Sequence, residues 1–375
     1  MIFINDPKRR QNMAIFATTL TKGTRKVDDV MDAVRNLRAE ELNESMLISM
    51  QEFSPNSDET AEIQEYEESN GDISLLGPAE LYIHHLVQVP RYKQRVNALL
   101  FQMRFGDQTA EIKKMNDILL ETSYSIHNSK NLARLLGIVL KVGNELNAGT
   151  SKGGAQGVHI SSLTKLTTTK SNTKKTLLEY IVEKVEQKDP SLLGIKKDLP
   201  LLAEAAKVNL KSLTADINKL RTGIKSMVAT VKMANDAGND HVFVEKLSPF
   251  LGRVSETIDS IDERNQEANL AFTELCVYLG EDPNATSPDS MFKELSMFVN
   301  LVDSTVTKVR EAEERKRKKS RTRNETKIEK EIIQILHVIN GRRVFFCIIS
   351  FIYRSGCVYE QILANKSMKT LTFFS

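Results

Sequence analysis

A glycine-rich segment, residues 149–157 (GTSKGGAQG), is the first part of this 375-residue chain whose composition could support chemistry. Backbone amides of such a segment bind phosphate when it follows a strand, opens a helix and carries the pattern G-x-x-x-x-G-K-[ST]. Here Lys152 precedes the glycine pair, and the segment follows residues with helical periodicity. An NTPase built on this loop is therefore the weakest of the functions that we consider.

Histidine and cysteine are too few and too poorly spaced to indicate a metal site or a nucleophile. His84 and His85 belong to no H-E-x-x-H motif, and Cys276, Cys347 and Cys357 form no C-x-x-C pair. We interpret the two histidines as satisfied or exposed and Cys276 as a core residue. The sequence therefore predicts no catalytic residue, no metal, no cofactor and no enzyme activity.

A basic segment, residues 308–323, contains nine Lys and Arg. Three glutamates precede basic residues by four positions: Glu311–Arg315, Glu313–Arg317 and Glu314–Lys318. That order stabilises a solvated helix. Binding of single-stranded nucleic acid is favoured by aromatic side chains between the basic ones, and this segment has none. With 52 Lys and Arg against 49 Asp and Glu, the chain is also too neutral for a general nucleic-acid binder, so we expect no nucleic-acid partner.

Composition indicates a globular, helical protein. The chain is 41% hydrophobic and 27% charged, with 17 Gly, 9 Pro and no Trp, and its length allows one large or two medium domains. The first ten residues lack the apolar core of a signal peptide. The longest apolar run, residues 344–353, is shorter than the roughly 20 residues that span a bilayer. We therefore expect a cytoplasmic, reduced protein without a membrane span.

Hydrophobic periodicity predicts helices along most of the chain. Two long stretches, residues 210–231 and 247–279, have apolar residues three and four positions apart, as in a coiled coil or a long helical hairpin with its turn at residues 234–240. The other predicted helices open at Asp6-Pro7, lie within residues 78–127, cover residues 132–146 and 173–187, and resume at Pro288.

Two segments depart from the average composition. Residues 39–90 contain twelve Asp and Glu and no Lys or Arg, which we interpret as solvated helix faces around a loop at residues 54–60. Beyond about residue 335, aromatic residues become frequent and the helical period is lost. We assign no function to that tail.

Three segments, taken together and in order, resemble the formin homology-2 domain, the actin-assembly domain of formins. Residues 6–15 (DPKRRQNMAI) are similar to the family pattern D-x-K-x-x-Q-N-x-x-I. Residues 76–80 (LGPAE), 89–91 (VPR) and 95–101 (RVNALLF) form the second segment. The third and most specific comprises residues 143–150 (GNELNAGT), 153–157 (GGAQG), 161–163 (SSL), 165–166 (KL) and 169–171 (TKS).

The resemblance implies an elongated all-α subunit with a knob, a long helical hairpin and a post. Two such subunits, paired head to tail, would form a homodimeric ring that nucleates actin filaments and caps or elongates their barbed ends processively. It further implies that Ile15 is the knob isoleucine that enters an apolar cleft on actin, and that Lys170 is the post-side lysine on a second actin surface. Without the resemblance, the pattern alone predicts Ile15 in the core and Lys170 in solvent.

The resemblance also implies that the loop after residue 142 receives the lasso of the partner subunit, because glycines allow another backbone to come close. The residues that match this region are Gly143, Asn144, Asn147, Gly149, Gly153 and Gly157. Two positions depart from the family pattern: Glu145 replaces an aromatic residue, and Val158 replaces a phenylalanine.

The resemblance covers about residues 4–320 and begins partway into the domain. We therefore expect residues 1–320 to form a formin homology-2-like domain without its N-terminal lasso, and residues 321–375 to form a basic helix end and an atypical tail. The expected function is actin-filament assembly in the cytoplasmic actin cytoskeleton. The alternative is a helical scaffold that binds partner helices through its hairpin and has no actin activity.

Overall fold

The computed structural model describes residues 3–20, 26–171 and 174–339, with side chains through residue 335. Within these ranges the protein is all-α, and the only strand-like feature is an isolated antiparallel bridge between Lys170 and Thr176. The predicted fold class is confirmed. The predicted atypical tail, with Cys347 and Cys357, lies outside the described residues.

The described residues form thirteen α-helices. The first seven are α1 (Pro7–Leu20), α2 (Val27–Arg35), α3 (Glu44–Glu52), α4 (Ser57–Glu68), α5 (Pro78–Val87), α6 (Tyr92–Asn128) and α7 (Lys130–Leu146). The others are α8 (Leu177–Lys188), α9 (Ile195–Asp198), α10 (Leu202–Ala205), α11 (Leu210–Ala237), α12 (His241–Leu279) and α13 (Pro288–Ile339). Short 3₁₀ helices occupy Ala39–Glu41, Ile73–Leu75, Ile160–Thr167 and Pro190–Gly194.

Several helices begin at a polar side chain that accepts a hydrogen bond from a backbone N–H of the first turn. These N-cap residues are Asn43, Asn56, Ser129, Thr176, Asn209 and Asp240. Such caps satisfy donors that have no partner within the helix. At the other end, α11 and α12 stop at Gly238 and Gly280, whose φ angles of 62° and 75° lie in the left-handed region that glycine adopts most easily.

The three longest helices of the compact unit, α6, α11 and α12, pack together along their length. Asp117 of α6 contacts Arg264 of α12 at 2.6 Å, and further along both helices the His127 and Tyr278 rings lie 4.5 Å apart. Because the paired residue numbers rise together, α6 and α12 run parallel. Only residues 238–240 connect α11 to α12, so α11 runs antiparallel to both. The predicted long hairpin is therefore packed against a third helix.

Two hydrophobic clusters line this bundle and the helices before it. The larger one includes buried residues from α1 to α6 and from the hairpin end, among them Met13, Phe16, Leu99, Phe243 and Leu247. The smaller one lies between α6, α11 and α12, further from the hairpin turn than the larger one. It includes Phe105, Ile112, Leu220, Val254 and Ile261. These residues follow the three-and-four spacing seen in the sequence.

Two element boundaries differ from the sequence prediction. The helical segment predicted within residues 78–127 divides at residues 88–91, because Pro90 has no backbone N–H and disfavours helical geometry at Val89. The turn predicted at residues 234–240 is only residues 238–240. Helix α11 continues to Ala237 because the chain first reaches a left-handed conformation at Gly238.

Contacts divide the chain into a compact unit that ends at Asp303 and a second unit that begins at Ser304, whereas the domain end expected from the sequence is residue 320. The second unit, taken by itself, continues α13 through Ile339, and its side chains from residue 310 to residue 335 are largely exposed. Two of the three predicted ion pairs form in it, Glu311–Arg315 at 3.5 Å and Glu314–Lys318 at 2.8 Å. Exposed pairs of this kind contribute little stability.

Among the described helices, none combines the length and the apolar composition that crossing a bilayer requires.

Candidate functional site

Helix α1 carries an exposed isoleucine on a helix that is otherwise well anchored. Ile15 is 56% exposed, whereas its neighbours Met13, Phe16 and Ala17 are buried. The Phe16 ring lies 5.5 Å from the ring of Tyr82 in α5, edge to face. The prediction from the pattern alone, that Ile15 belongs to the core, is therefore wrong: the helix rotates Phe16 and Ala17 inward, which leaves Ile15 outside.

An ion pair to α4 fixes the N-terminal end of α1. Arg9 contacts Glu59 at 3.0 Å through Nε and 3.1 Å through a terminal nitrogen, and it also donates to the carbonyl of Ser54 at 2.8 Å. Glu59 also accepts from the backbone N–H of Asn56 at 2.9 Å, completing a capping box. Helix α1 thus presents Ile15 from a rigid position.

The electrostatics of this anchor are those of a stabilised ion pair. Burial alone raises the pKa of Glu59, but hydrogen bonds from Arg9 and Asn56 and the charge of Arg9 outweigh it, so the pKa lies below its ordinary value. The hydrogen bond to Glu59 is the largest cause of the raised pKa of Arg9. Both groups are therefore charged at neutral pH.

Lys170 lies on a short antiparallel pairing that leads into α8. It forms a β-bridge with Thr176, flanked by Ser171 N–H donating to the Lys175 carbonyl and Leu177 N–H donating to the Thr169 carbonyl, both at 2.8 Å. Its side chain is exposed, as predicted. The backbone of Lys170 is therefore held in place while its ammonium group is free to meet a partner.

The glycine-rich loop is fastened to the end of α7 by one asparagine side chain. Asn144 donates to the carbonyl of Ala155 and accepts from its N–H, both at 2.8 Å. The carbonyl of Asn147 accepts from the N–H of Thr150 at 3.0 Å and from its hydroxyl at 2.8 Å. The loop is therefore a defined structure.

The glycines of this loop have different structural requirements. A Cβ on Gly153 would lie 2.7 Å from the Asn147 carbonyl oxygen, and Gly149 and Gly154 have φ angles of 78° and 74°. A Cβ on Gly143 or Gly157 would meet no atom within 4 Å. A close contact explains glycine at position 153, and positive φ angles explain it at positions 149 and 154. Nothing within the subunit requires glycine at positions 143 and 157.

An apolar groove of about 250 Å³ borders the loop. It lies between α7 and the end of α12, with Leu136 and Leu140 on one side, Tyr278 on the other, and Gly157 and Val158 at the loop edge. The structure thus brings all six loop residues singled out from the sequence to one region, the end of α7 and the loop after it. Ile15 and Lys170 belong to two other surfaces.

The residues that we set aside as non-catalytic have structural partners. His84 Nδ1 lies 2.5 Å from Glu67, and His85 Nδ1 lies 3.2 Å from Asp28. Cys276 is fully buried, and burial raises the pKa of its thiol to about 11, so it is a poor nucleophile. Within the described residues, no three His, Cys, Asp or Glu side chains are arranged to hold a metal.

Sequence reasoning missed two buried carboxylates, one of which, Glu59, holds the helix that carries Ile15. Glu59 and Glu80 are 5% and 3% exposed, so the interpretation of residues 39–90 as solvated faces is wrong for both. The available signal for Glu59 was its place three residues after Asn56, the spacing of a capping box. The buried pair of Arg95 with Asp240 gave no comparable signal, because the two residues are far apart in sequence.

Most of this chain is similar to proteins of one known family. A family model described as Formin Homology 2 Domain matches residues 2–303. Formin-like protein 6 of Oryza sativa subsp. japonica is 30% identical over 302 residues, which are 80% of this chain and 22% of that protein. Disheveled-associated activator of morphogenesis 1 of Homo sapiens is 30% identical over 302 residues, 79% of this chain and 27% of that protein. The chain thus spans about a quarter of the length of these relatives.

Proposed function

This chain belongs to the formin homology 2 family, and we propose that it binds actin, nucleates filaments, and as a dimer caps or elongates their barbed ends. The family match over residues 2–303 carries the proposal, and the exposure of Ile15 supports it. Such a protein acts by binding and not by catalysis, and its place of action is the cytoplasmic actin cytoskeleton.

Ile15 is the residue that we assign to an apolar cleft on actin. It is more than half exposed on a helix that the Arg9–Glu59 pair holds in place. Binding through Ile15 therefore costs little conformational entropy. Full burial of an isoleucine side chain is worth roughly 1.5–3 kcal/mol. A contribution of that size is typical of an interface hot spot. A cap that holds the filament through several such contacts can release them one at a time and advance as each actin subunit joins the filament end.

Lys170 is the residue that we assign to a second actin surface. Its backbone is fixed by the bridge to Thr176, while the side chain is exposed. An ammonium group held in this way suits a carboxylate on the partner. This contact therefore depends on salt more strongly than the contact of Ile15 does.

The loop at the end of α7 is the surface that we assign to the second subunit of the dimer. Asn144 holds the loop in place, and Gly143 and Gly157 leave open space where a side chain would otherwise stand. The neighbouring apolar groove of about 250 Å³ offers room for a large side chain of the partner subunit. These features support dimerisation through this region.

The test is actin assembly from monomers with the full chain. We expect faster assembly with the natural sequence and loss of most of that effect with Ile15→Ala. Leu75→Ala is the matched control, since Leu75 is 65% exposed in a different segment. Equal activity of the natural chain and Ile15→Ala would refute the assignment of Ile15. Failure of the natural chain to change actin assembly would refute the proposed function.

A second candidate is a scaffold that binds partner helices through the α11–α12 hairpin. The observation in its favour is that the hairpin exposes the large apolar side chains Met233, Leu270 and Val277, which are 69%, 61% and 67% exposed. In a scaffold of this kind, Ile15→Ala and Lys170→Asp would leave the binding of partner helices unchanged. Actin binding that either change reduces therefore separates the two functions.

A further inference from the structure

We propose that Tyr180 and Lys184 of α8 extend the surface of Lys170 into a composite actin contact, in which the tyrosine ring is the anchor. The inference rests on the proposed function and adds residues to it. The surface that it contacts on actin is an acidic patch that carries an apolar side chain.

Lys170 and Tyr180 are linked through one residue. The β-bridge pairs Lys170 with Thr176, and Thr176 is the N-cap of α8, where its side chain accepts from the N–H of Glu179 at 3.1 Å. The N–H of Tyr180 in turn donates to the Thr176 carbonyl at 3.1 Å. Tyr180 therefore lies one helical turn from the residue that is paired with Lys170.

Helix α8 has a clear inner and outer face. Its buried residues are Leu178, Ile181, Val182 and Val185. Tyr180 is 46% exposed, and Lys184, one turn further on, is exposed as well. Nearly half of the Tyr180 side chain is therefore open to a partner, and exposed tyrosines are frequent anchors at interfaces.

The charges around the ring favour an acidic partner. Lys184 Nζ lies 5.8 Å from the centre of the Tyr180 ring, close enough for a cation–π contact that holds both side chains on the outer face. Lys175 is already paired with Glu183 at 2.7 Å. Among the described residues, neither Lys170 nor Lys184 has a carboxylate within ion-pair distance. The Tyr180 ring therefore has one ammonium group beside it, that of Lys184, and its helix begins at the N-cap residue that is paired with Lys170.

Actin is the occupant that this arrangement favours over a second copy of the chain. Thr176 joins this surface to Lys170, which the proposed function assigns to actin, and Lys170 and Lys184 offer positive charge to an acidic partner. The groove and glycine loop assigned to the partner subunit are built from α7, α12 and the loop after α7, which are other elements. The dimer contact as proposed therefore uses no residue of α8.

The experiment measures the affinity of the full chain for filament barbed ends, from the inhibition of elongation over a concentration series. We expect Tyr180→Ala to weaken binding about tenfold, the usual scale of a hot-spot truncation. Tyr180→Phe keeps the ring and is expected to bind like the natural chain. Tyr124→Ala is the matched control, because Tyr124 is 51% exposed on α6 and is expected to have no effect.

A salt series tests the electrostatic part. Lys184→Ala is expected to weaken binding at low salt and to reduce the dependence of affinity on salt, whereas Lys184→Arg is expected to retain both. A merely structural role of Lys184 would lower thermal stability and leave the salt dependence unchanged, and that result would overturn the role of its charge.

Failure of this inference is distinguishable from failure of the proposed function. If Lys170→Ala and Ile15→Ala weaken binding and Tyr180→Ala does not, the composite contact is refuted and the actin function stands. If the natural chain itself fails to bind barbed ends, both are refuted. If Tyr180→Ala converts a dimer to a monomer in a molar-mass measurement, the ring contacts a second subunit, which also overturns the inference.

Discussion

Arg95 donates a hydrogen bond of 2.7 Å to Asp240 in the protein interior, across 145 residues of sequence. Arg95 belongs to the first turn of α6, and Asp240 caps α12 by accepting from the N–H of Phe243 at 3.2 Å. The guanidinium also lies 5.1 Å from the centre of the Phe243 ring. This one contact therefore joins the end of the α11–α12 hairpin to the start of the long helix that runs beside it.

Removal of one partner of this pair is expected to be strongly destabilising. Arg95 is 1% exposed and Asp240 is 7% exposed, so Asp240→Ala leaves a buried, unpaired cation. Such a change costs about 3–5 kcal/mol. Urea unfolding of the full chain measures it, with Asp216→Ala in the exposed Lys219–Asp216 pair of α11 as the control, for which we expect less than about 1 kcal/mol. Equal effects of the two changes would contradict this account of the pair.

The anchor of α1 is expected to weaken in acid. The pKa of Glu59 lies below its ordinary value of 4.5 in the folded protein, so the unfolded chain binds the proton more readily than the folded one. The stabilisation is therefore complete above about pH 4.5 and is lost as the pH falls through the lowered pKa. We expect Glu59→Gln to cost about 1–3 kcal/mol at neutral pH and less in acid.

The measurement is the free energy of unfolding of both proteins at neutral pH and at about pH 4. A gap between them that does not narrow in acid would contradict a lowered pKa of Glu59 in the folded protein. Glu65→Gln serves as the control, because Glu65 lies in the same helix with its side chain more exposed than that of Glu59.

The helical architecture was largely predictable, because apolar spacing and N-cap residues act locally. The Arg95–Asp240 pair was not, because the packing of the whole unit brings together residues 145 positions apart. The Asn144–Ala155 contact was not predictable either, because it depends on the path of an irregular loop. Ile15 shows the limit most clearly. Its spacing is that of a core residue, and only the resemblance to a family suggested an exposed role.

Two glycines of the loop region are expected to respond to alanine in opposite ways. Gly153→Ala places a Cβ 2.7 Å from the Asn147 carbonyl oxygen, a fixed backbone atom, so it must distort the loop and lower the melting temperature. Gly143→Ala lies inside α7, where the new Cβ meets nothing, and alanine favours a helix over glycine by about 1 kcal/mol. It should raise the melting temperature.

The same pair tests the dimer surface. If a partner backbone passes close to Gly143, then Gly143→Ala weakens the dimer although it stabilises the subunit. Thermal unfolding and molar mass by light scattering, measured on the same samples, separate the two effects. A Gly143→Ala protein that is more stable and as dimeric as the natural chain would remove Gly143 from the proposed interface.

Asn144 is expected to control the order of the whole loop, because its side chain both donates to and accepts from Ala155. Asn144→Asp keeps the acceptor for the Ala155 N–H and removes the donor to its carbonyl, whereas Asn144→Ala removes both hydrogen bonds. Each lost bond at this exposed site is worth about 0.5–1.5 kcal/mol. Hydrogen exchange at the Ala155 amide should therefore be slowest in the natural chain, faster in Asn144→Asp and fastest in Asn144→Ala. Exchange that is fast in all three would mean that the contact does not persist in solution. If it does persist, a weaker dimer in the same order of variants would tie the order of the loop to the association of two subunits.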